Sequence, residues 1–268
     1  MGNVKLGVTL YSFTKEYCEG SMDLEDCIRT AKEMGAEGFE IVATQMVPSY
    51  PYISDTFLGE IRSICDCYDI EPVCYGANMD CGLRYDRRLT EDEMVERAIL
   101  DIRSANKMGC KVIRQQYLLS PNGLARIAPY AEAYGVKVGI EIHNPETPNS
   151  PAMMAYRAAI DKSGSKYIGF VPDFGCFATK PNKPHWDEAL KNGADLRLLE
   201  MARDMRYDAV PMEEAQKRLK ENGATTLELA LLQEMYAFLQ FKKDCKKELE
   251  GLKEIMPHCF HMQDRKSV

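Results

Sequence analysis

The sequence has little histidine and tryptophan, no excess of basic residues and no long apolar run. Among its 268 residues are four His and one Trp, and 34 Lys and Arg stand against 41 Asp and Glu, a net charge of −7. An acidic chain does not attract phosphate backbones, so we expect no nucleic-acid partner. No segment approaches the ~20 apolar residues that cross a bilayer, so we expect no membrane partner. The first residues are typical of a strand rather than of a signal peptide, which predicts a cytoplasmic protein.

Paired cysteine motifs are also missing. The chain has ten cysteines, but none has the CxxC spacing of zinc ribbons and thioredoxin-like sites. Without a secretory signal, we expect reduced thiols that are buried as small hydrophobic side chains.

Short β-rich runs alternate with longer amphipathic segments. The predicted strands cover 5–10, 39–42, 72–76, 111–114, 137–143, 167–173 and 259–262. Helices are predicted over 23–34 with Ser21 as N-cap, and over 54–68, 90–108, 121–134 and 151–162. Several of these helices end at a glycine that precedes a turn and the next strand. Strict alternation of this kind indicates parallel strands joined by helical crossovers.

The number of repeats predicts an α/β fold of the (β/α)₈ TIM barrel type, for which ~250 residues are typical. A doubly wound open sheet is the alternative, but the first strand is not followed by a glycine-rich phosphate turn. The stretch at about 180–254 is expected to be a helical excursion of a single domain covering 1–268, with its strongest helix over 227–252. Six residues follow the seventh strand, so we expect a barrel truncated after that strand.

Candidate reactive residues stand where strands end, because barrel active sites lie at the carboxyl edge of the sheet. Glu141 and His143 are two residues apart and share one side of their strand. Asp173 ends the sixth strand, and alternation turns His261 inward and Phe260 outward on the seventh. Oxygen and nitrogen ligands of these types suit Mn²⁺ and, less selectively, Mg²⁺, Zn²⁺ or Fe²⁺.

Each of these residues also has a structural interpretation. Glu141 could be an ion-pair partner, Asp173 a turn cap, and His143 a hydrogen-bond partner of a neighbouring carboxylate. His261 could be a core histidine whose hydrogen bonds are satisfied. The coincidence of three metal-type residues at three strand ends favours a site.

The runs GIEIHNP and FVPDFG, followed by HCFHM, resemble the xylose isomerase-like barrels, the sugar phosphate isomerase and epimerase superfamily. The resemblance implies a divalent metal, most often Mn²⁺, bound by a Glu, an Asp, a His and a second Glu. Glu141, Asp173 and His261 match the first three ligands. The fourth comes from an eighth strand in the family and has no match here, which implies an incomplete site or a partner that closes the barrel.

Within that superfamily, EIHNPETP and FVPDFGCFA resemble the catalytic α subunits of bacterial C-glycoside deglycosidases. The resemblance implies cleavage of the carbon–carbon bond between a 3-keto sugar and its aglycone, with His143 as general base. It also implies a small β subunit, and we expect an oligomer. The polar residues expected to bind sugar hydroxyls are Asn144, Glu146, Gln115 and Arg114.

Three other functions remain open. An epimerase or isomerase of the same fold would use the same residues, and a non-catalytic truncated subunit would explain the missing eighth strand. A DNA-repair endonuclease of this fold is disfavoured by the net charge of −7 and by a content of four histidines.

Overall fold

The computed structural model of the chain describes residues 5–116, 119–237 and 240–263. These residues form two compact units. The first comprises the described residues of Met1–Glu141, Ala155–Val171 and His258–His261, and the second those of Ile142–Met154, Pro172–Pro257 and Met262–Val268. The single domain expected from the sequence stays a prediction.

A parallel sheet forms the centre of the first unit. Its strands are β1 Gly7–Thr9, β2 Gly38–Val42, β3 Glu71–Ala77, β4 Val112–Gln115, β5 Lys137–Ile142 and β6 Ile168–Pro172. They pair in sequence order, and each of the four pairs from β1–β2 to β4–β5 is parallel. Each of the first six predicted strands is therefore confirmed, and their carboxyl ends share one edge of the sheet.

Helices follow the strands in the alternation that the sequence predicts. They are α1 Thr14–Cys18, α2 Leu24–Glu33, α3 Ala43–Met46, α4 Asp55–Tyr68, α5 Glu91–Met108, α6 Pro121–Tyr134 and α7 Pro151–Ser163. Helix α5 ends at Gly109, whose φ of 99° is the left-handed conformation that glycine adopts without strain. The predicted N-cap of helix α2 is wrong. Asp23 rather than Ser21 is the N-cap, since the Asp23 carboxylate accepts a hydrogen bond from the Asp26 N–H at 2.8 Å.

Helix α5 packs on the sheet through a buried carboxylate. Asp101 is 2% exposed and accepts hydrogen bonds from the hydroxyls of Tyr75 at 3.2 Å and Tyr50 at 3.3 Å. Burial raises the pKa of Asp101 to about 7, because the charged form is poorly solvated there. The two hydroxyls and Arg97 oppose that shift without cancelling it.

The prediction of a regular seventh strand is wrong. Two isolated parallel bridges take its place, one joining Phe170 to Cys259 and one joining Asp173 to Gln263. Single bridges do not impose the side-chain alternation of a strand. Phe260 accordingly does not face the helices but packs against the buried Cys74, Val112 and Val171.

Helices dominate the second unit. They are α8 Lys183–Lys191, α9 Leu196–Tyr207, α10 Met212–Glu221, α11 Thr226–Ala237 and α12 Lys246–Ile255. Buried residues of α8 to α11, with Phe241, form a hydrophobic cluster. No helix in the described part of the chain is long and apolar enough to cross a membrane.

The long helix expected over 227–252 is also wrong, because helices α11 and α12 are separate. Between them Phe241 is 2% exposed, and its ring meets Tyr207 edge-on at 5.3 Å. The next backbone N–H, of Lys242, donates to the carbonyl of Ala178 at 3.1 Å. Burial of the aromatic ring and this tertiary hydrogen bond replace the helical conformation that local propensity favours.

Candidate active site

Three charged side chains are buried together in the first unit. Glu40 on β2, Arg114 on β4 and Glu141 on β5 are 4%, 6% and 1% exposed. Their removal from water is costly unless the charges are paired. Arg114 lies opposite Gly76 in the β3–β4 register, so the intervening strand presents no side chain there.

Arg114 joins the two carboxylates. Its Nε and Nη2 donate to the two oxygens of Glu40, both at 3.0 Å, and its Nη1 donates to Oε2 of Glu141 at 2.8 Å. The hydroxyl of Thr9 adds a hydrogen bond to Oε1 of Glu40 at 3.1 Å. The pairing with Glu40 is bidentate, which is the stronger and more directional form of this interaction.

The pKa values agree with a charged cluster. Burial alone would raise the pKa of Glu40, but the charge and hydrogen bonds of Arg114 outweigh it and lower the pKa overall. Burial alone would lower the pKa of Arg114, but the carboxylates of Glu40 and Glu141 outweigh burial and raise that pKa above its usual range. Arg114 forms an ion pair with each of the two carboxylates, so the cluster has one positive and two negative groups and a net charge of −1.

One carboxylate oxygen of this cluster differs from the others in its hydrogen bonding. Within residues 5–116, 119–237 and 240–263, Oε1 of Glu141 is buried and makes no hydrogen bond. A buried acceptor left unsatisfied costs free energy. A hard divalent cation is a natural partner for such an oxygen, so Glu141 fits the role of a metal ligand.

His261 lies beside Glu40 and Cys74. One ligand atom from each of the three residues lies within 4.8 Å of the others. Burial lowers the pKa of His261; Glu40 opposes this shift and Arg114 adds to it. Burial and the Glu40 charge raise the pKa of the Cys74 thiol well above its usual range, which favours the neutral thiol.

The second unit holds the other two predicted reactive residues. A ring nitrogen of His143 and a carboxylate oxygen of Asp173 lie within 4.8 Å of each other. Asp173 is 2% exposed, and its Oδ1 accepts the Gly175 N–H at 2.7 Å. Asp173 therefore caps a 3₁₀ turn, the structural role that the sequence allowed, and its carboxylate also lies next to the imidazole.

The tautomer of His143 follows from one hydrogen bond. Its Nδ1 lies 2.7 Å from the carbonyl oxygen of Asn144. A carbonyl can only accept, so Nδ1 carries the hydrogen and Nε2 of the neutral ring carries the lone pair. The half-buried ring is therefore arranged to accept a proton at Nε2.

Two predicted sugar-binding residues lie in the same unit. The amide nitrogen of Asn144 donates to the carbonyls of Gly175 at 3.0 Å and Gln240 at 2.5 Å. Its buried Oδ1 has no hydrogen-bond partner among the described residues. Glu146 is half-buried and accepts a hydrogen bond from the Ser150 hydroxyl.

The other two predicted sugar-binding residues, Gln115 and Arg114, lie in the first unit. Gln115 follows Arg114 on β4 and is 1% exposed. Its Nε2 is buried and makes no hydrogen bond within the part of the chain that the structure describes. Arg114, in contrast, is engaged with Glu40 and Glu141.

Sequence reasoning missed Glu40 and Cys74. Glu40 occupies the middle of the otherwise apolar strand β2, in which every residue is buried. A charged residue in such a strand signals a buried ion pair or a functional site. Cys74 carried no comparable signal, since a single cysteine in a strand is usually a small hydrophobic residue.

Comparisons with known proteins agree with this architecture. A family model described as the xylose isomerase-like TIM barrel matches residues 28–204. The 3'-dehydrocarminate deglycosidase alpha subunit of a Microbacterium species is 36% identical over 177 residues, 66% of this chain and 51% of that protein. The C-glycoside deglycosidase alpha subunit of Arthrobacter globiformis is 30% identical over 266 residues, 97% of this chain and 74% of that protein. The chain thus spans about half the length of the first relative.

A solved structure of similar fold is the apo form of 3-keto-D-glucoside 4-epimerase from E. coli. It is 12% identical, has a TM-score of 0.50, and the match covers 99% of this chain and 94% of that one. At this identity the likeness concerns the fold, and together with the family match it confirms the predicted barrel class.

Proposed function

Because the chain belongs to the family of xylose isomerase-like TIM barrels, we propose that it is a metal-dependent sugar-processing enzyme of the C-glycoside deglycosidase type. The likeness to the deglycosidase alpha subunit of Arthrobacter globiformis, which extends along 97% of this chain, carries this proposal. The unpartnered oxygen of Glu141 and the Nε2 lone pair of His143 supply the two chemical functions that such a reaction needs.

The proposed metal ligands are Glu141, Asp173 and His261. Two carboxylates and an imidazole form a mixed oxygen and nitrogen set that suits Mn²⁺. A bound cation would polarise a keto or hydroxyl oxygen of the sugar and so acidify the neighbouring C–H bond. The unsatisfied Oε1 of Glu141 supports this assignment.

His143 is the proposed general base. Its Nε2 accepts the proton from the carbon next to the keto group of a 3-keto-C-glycoside. The electron pair of that C–H bond forms a carbon–carbon double bond in the sugar, and the bond to the aglycone breaks. The aglycone carbon that departs takes up a proton, which the imidazolium of His143 returns.

Polar groups that have no hydrogen-bond partner among the described residues are proposed to bind the sugar. Oδ1 of Asn144 can accept from a hydroxyl, and Nε2 of Gln115 can donate to one. The carboxylate of Glu146 is a further acceptor for a hydroxyl. Arg114 donates to two carboxylates, so we assign it to positioning rather than to the sugar.

A small second subunit is the proposed partner. The relatives are named alpha subunits, which implies that they assemble with another chain. Turnover should therefore be measured both with this chain alone and after addition of the beta subunit of the Arthrobacter globiformis relative.

The test is the release of an aglycone. The chain, loaded with Mn²⁺, is incubated with a 3-keto-C-glycoside, and the free aglycone is measured by liquid chromatography. Release that requires Mn²⁺ and is lost in His143→Ala supports the proposal. Incorporation of solvent deuterium next to the keto group without release indicates an epimerase instead. Neither release nor exchange, with and without the beta subunit, contradicts an enzymatic role.

A further inference from the structure

In the first unit, Arg114 divides its hydrogen bonds unequally between the two buried carboxylates. Arg114 gives two N–H groups to Glu40, at 3.0 Å each, and one to Glu141, at 2.8 Å. One oxygen of Glu141 is held while the other has no hydrogen bond among the described residues. The arrangement fixes the orientation of the Glu141 carboxylate and leaves Oε1 available.

We propose that Glu40 and Arg114 are a positioning pair that presents Oε1 of Glu141 to a divalent metal ion. This inference rests on the proposed function, because it concerns the metal site of that function. Neither residue is proposed to touch the metal or the substrate. Groups behind a metal ligand commonly set its orientation and basicity in this way.

The role of Glu40 is to occupy the guanidinium. Arginine binds a single carboxylate through two parallel N–H bonds when geometry allows. Without the charge of Glu40, Arg114 would be free to engage both oxygens of Glu141 and neutralise it. With Glu40 present, the cluster keeps its net charge of −1, which favours a cation at Glu141.

The backbone keeps the guanidinium in this position. A Cβ at Gly76 would lie 2.9 Å from Nη2 of Arg114, so the absent side chain creates the space that the guanidinium fills. The Thr9 hydroxyl donates to Oε1 of Glu40 at 3.1 Å, the oxygen that also accepts from Nη2 of Arg114. The contacts of the pair named here therefore come from strands β1 to β5.

The three residues Glu40, Cys74 and His261 form a second group of metal-type ligands. Both oxygens of Glu40 accept from Arg114, however, which places a cationic guanidinium against this group. These hydrogen bonds leave less of the Glu40 carboxylate to a cation than Oε1 of Glu141 offers, which makes no hydrogen bond among the described residues. We therefore assign Glu40 to Arg114, and a Cys74→Ser variant tests the assignment.

The experiment compares Mn²⁺ affinity with stability in the 268-residue chain. Free Mn²⁺ is titrated by electron paramagnetic resonance for the wild type, Glu40→Gln and the double variant Glu40→Gln/Arg114→Met. The thermal midpoint of each metal-free protein is measured in parallel. Glu71→Gln is the matched control, because Glu71 pairs with Lys5 at the exposed surface at 3.4 Å.

Glu40→Gln is expected to weaken Mn²⁺ binding about 10- to 100-fold. The double variant removes the competing guanidinium and is expected to recover at least half of that loss on a logarithmic scale. Glu71→Gln and Cys74→Ser are expected to bind Mn²⁺ like the wild type.

Three results would overturn the inference. One is Glu40→Gln binding Mn²⁺ like the wild type, even with a lower thermal midpoint, which indicates a purely structural pair. Another is a double variant no better than the single one. The third is loss of Mn²⁺ in Cys74→Ser, which places the metal at Cys74. If the wild type itself binds no Mn²⁺, the proposed metal site fails together with this inference. The first two results leave that site in place, and the third moves it to Cys74.

Discussion

Gly76 and Arg114 lie opposite each other on β3 and β4, and Nη2 of Arg114 occupies the space where a side chain at position 76 would begin. The closest approach from a Cβ would be 2.9 Å. The glycine thus allows a guanidinium to cross β3 and reach Glu40 on β2.

Gly76→Ala should displace that guanidinium. The carbonyl of Ile41 would lie 3.3 Å from the new Cβ and cannot give way easily. We expect a loss of about 1–3 kcal/mol in the free energy of unfolding, measured by urea denaturation, as for other overpacked positions. Mn²⁺ affinity should fall with it, because Arg114 moves away from Glu141.

Gly59→Ala is the matched control for this substitution. Gly59 lies on an exposed position of helix α4, and a Cβ there meets nothing within 4 Å. Alanine should stabilise that helix by about 0.5–1 kcal/mol. Equal effects of the two substitutions would contradict the close approach at Gly76.

Asp101 should make stability depend on pH. Its pKa is raised to about 7 in the folded protein, whereas an unfolded Asp titrates near 3.9. The folded state therefore binds the extra proton, and stability falls as the pH rises from about 4 to 7. Asp101→Asn should remove this decline, so the difference in unfolding free energy between variant and wild type should increase with pH across this window.

Urea denaturation of both proteins at pH 5 and pH 8 provides the measurement. Tyr75→Phe is a second test of the same carboxyl. It removes a hydroxyl that donates to Asp101 at 3.2 Å, and it should therefore raise the pKa of Asp101 further. A constant difference between Asp101→Asn and the wild type across this range would contradict a near-neutral carboxyl.

The βα alternation and most element bounds could be predicted from sequence because the signals are local. Glycines such as Gly109 and the Thr90 capping box mark helix ends through backbone geometry and neighbouring residues alone. The errors arose where distant contacts decide. Phe241 interrupts an otherwise helical sequence by entering a tertiary cluster, and Phe260 departs from strand alternation because only isolated bridges hold its segment.

For the candidate site, the sequence indicates residue types but not which side chains pair. Glu141, His143, Asp173 and His261 stand out by residue type at strand ends. Arg114 was expected to bind sugar, because sequence does not show that Glu40, 74 residues away, accepts its hydrogen bonds. Pairing of distant charges depends on strand order and sheet register, which exist only in the folded chain.

His143→Ala separates metal binding from proton transfer. Nδ1 of His143 lies 2.7 Å from the Asn144 carbonyl oxygen, so Nε2 is the nitrogen that remains available, and we propose that it accepts a proton rather than binds the metal. We expect Mn²⁺ content near that of the wild type, with aglycone release reduced about 10²- to 10⁴-fold, the usual contribution of a general base. Loss of Mn²⁺ in this variant would make His143 a ligand instead.

Phe241 should hold the helical unit together. Its ring is 2% exposed and meets Tyr207 edge-on, with ring planes at 87° and centroids 5.3 Å apart. Phe241→Ala should cost about 3–5 kcal/mol, since it removes a buried aromatic ring and leaves a cavity. Leu249→Ala is the control, because Leu249 is 43% exposed and its truncation should change stability by less than about 1 kcal/mol.

A double-mutant cycle with Tyr207 tests whether the ring contact itself contributes. The Tyr207 hydroxyl also donates to the Thr179 carbonyl at 2.7 Å, so Tyr207→Phe removes that bond but keeps the ring. Tyr207→Leu removes the ring as well. If the edge-on contact stabilises the unit, coupling of about 0.5–1.5 kcal/mol with Phe241→Leu should appear for Tyr207→Leu and vanish for Tyr207→Phe. Additive effects in both cycles would mean that Phe241 acts through burial alone.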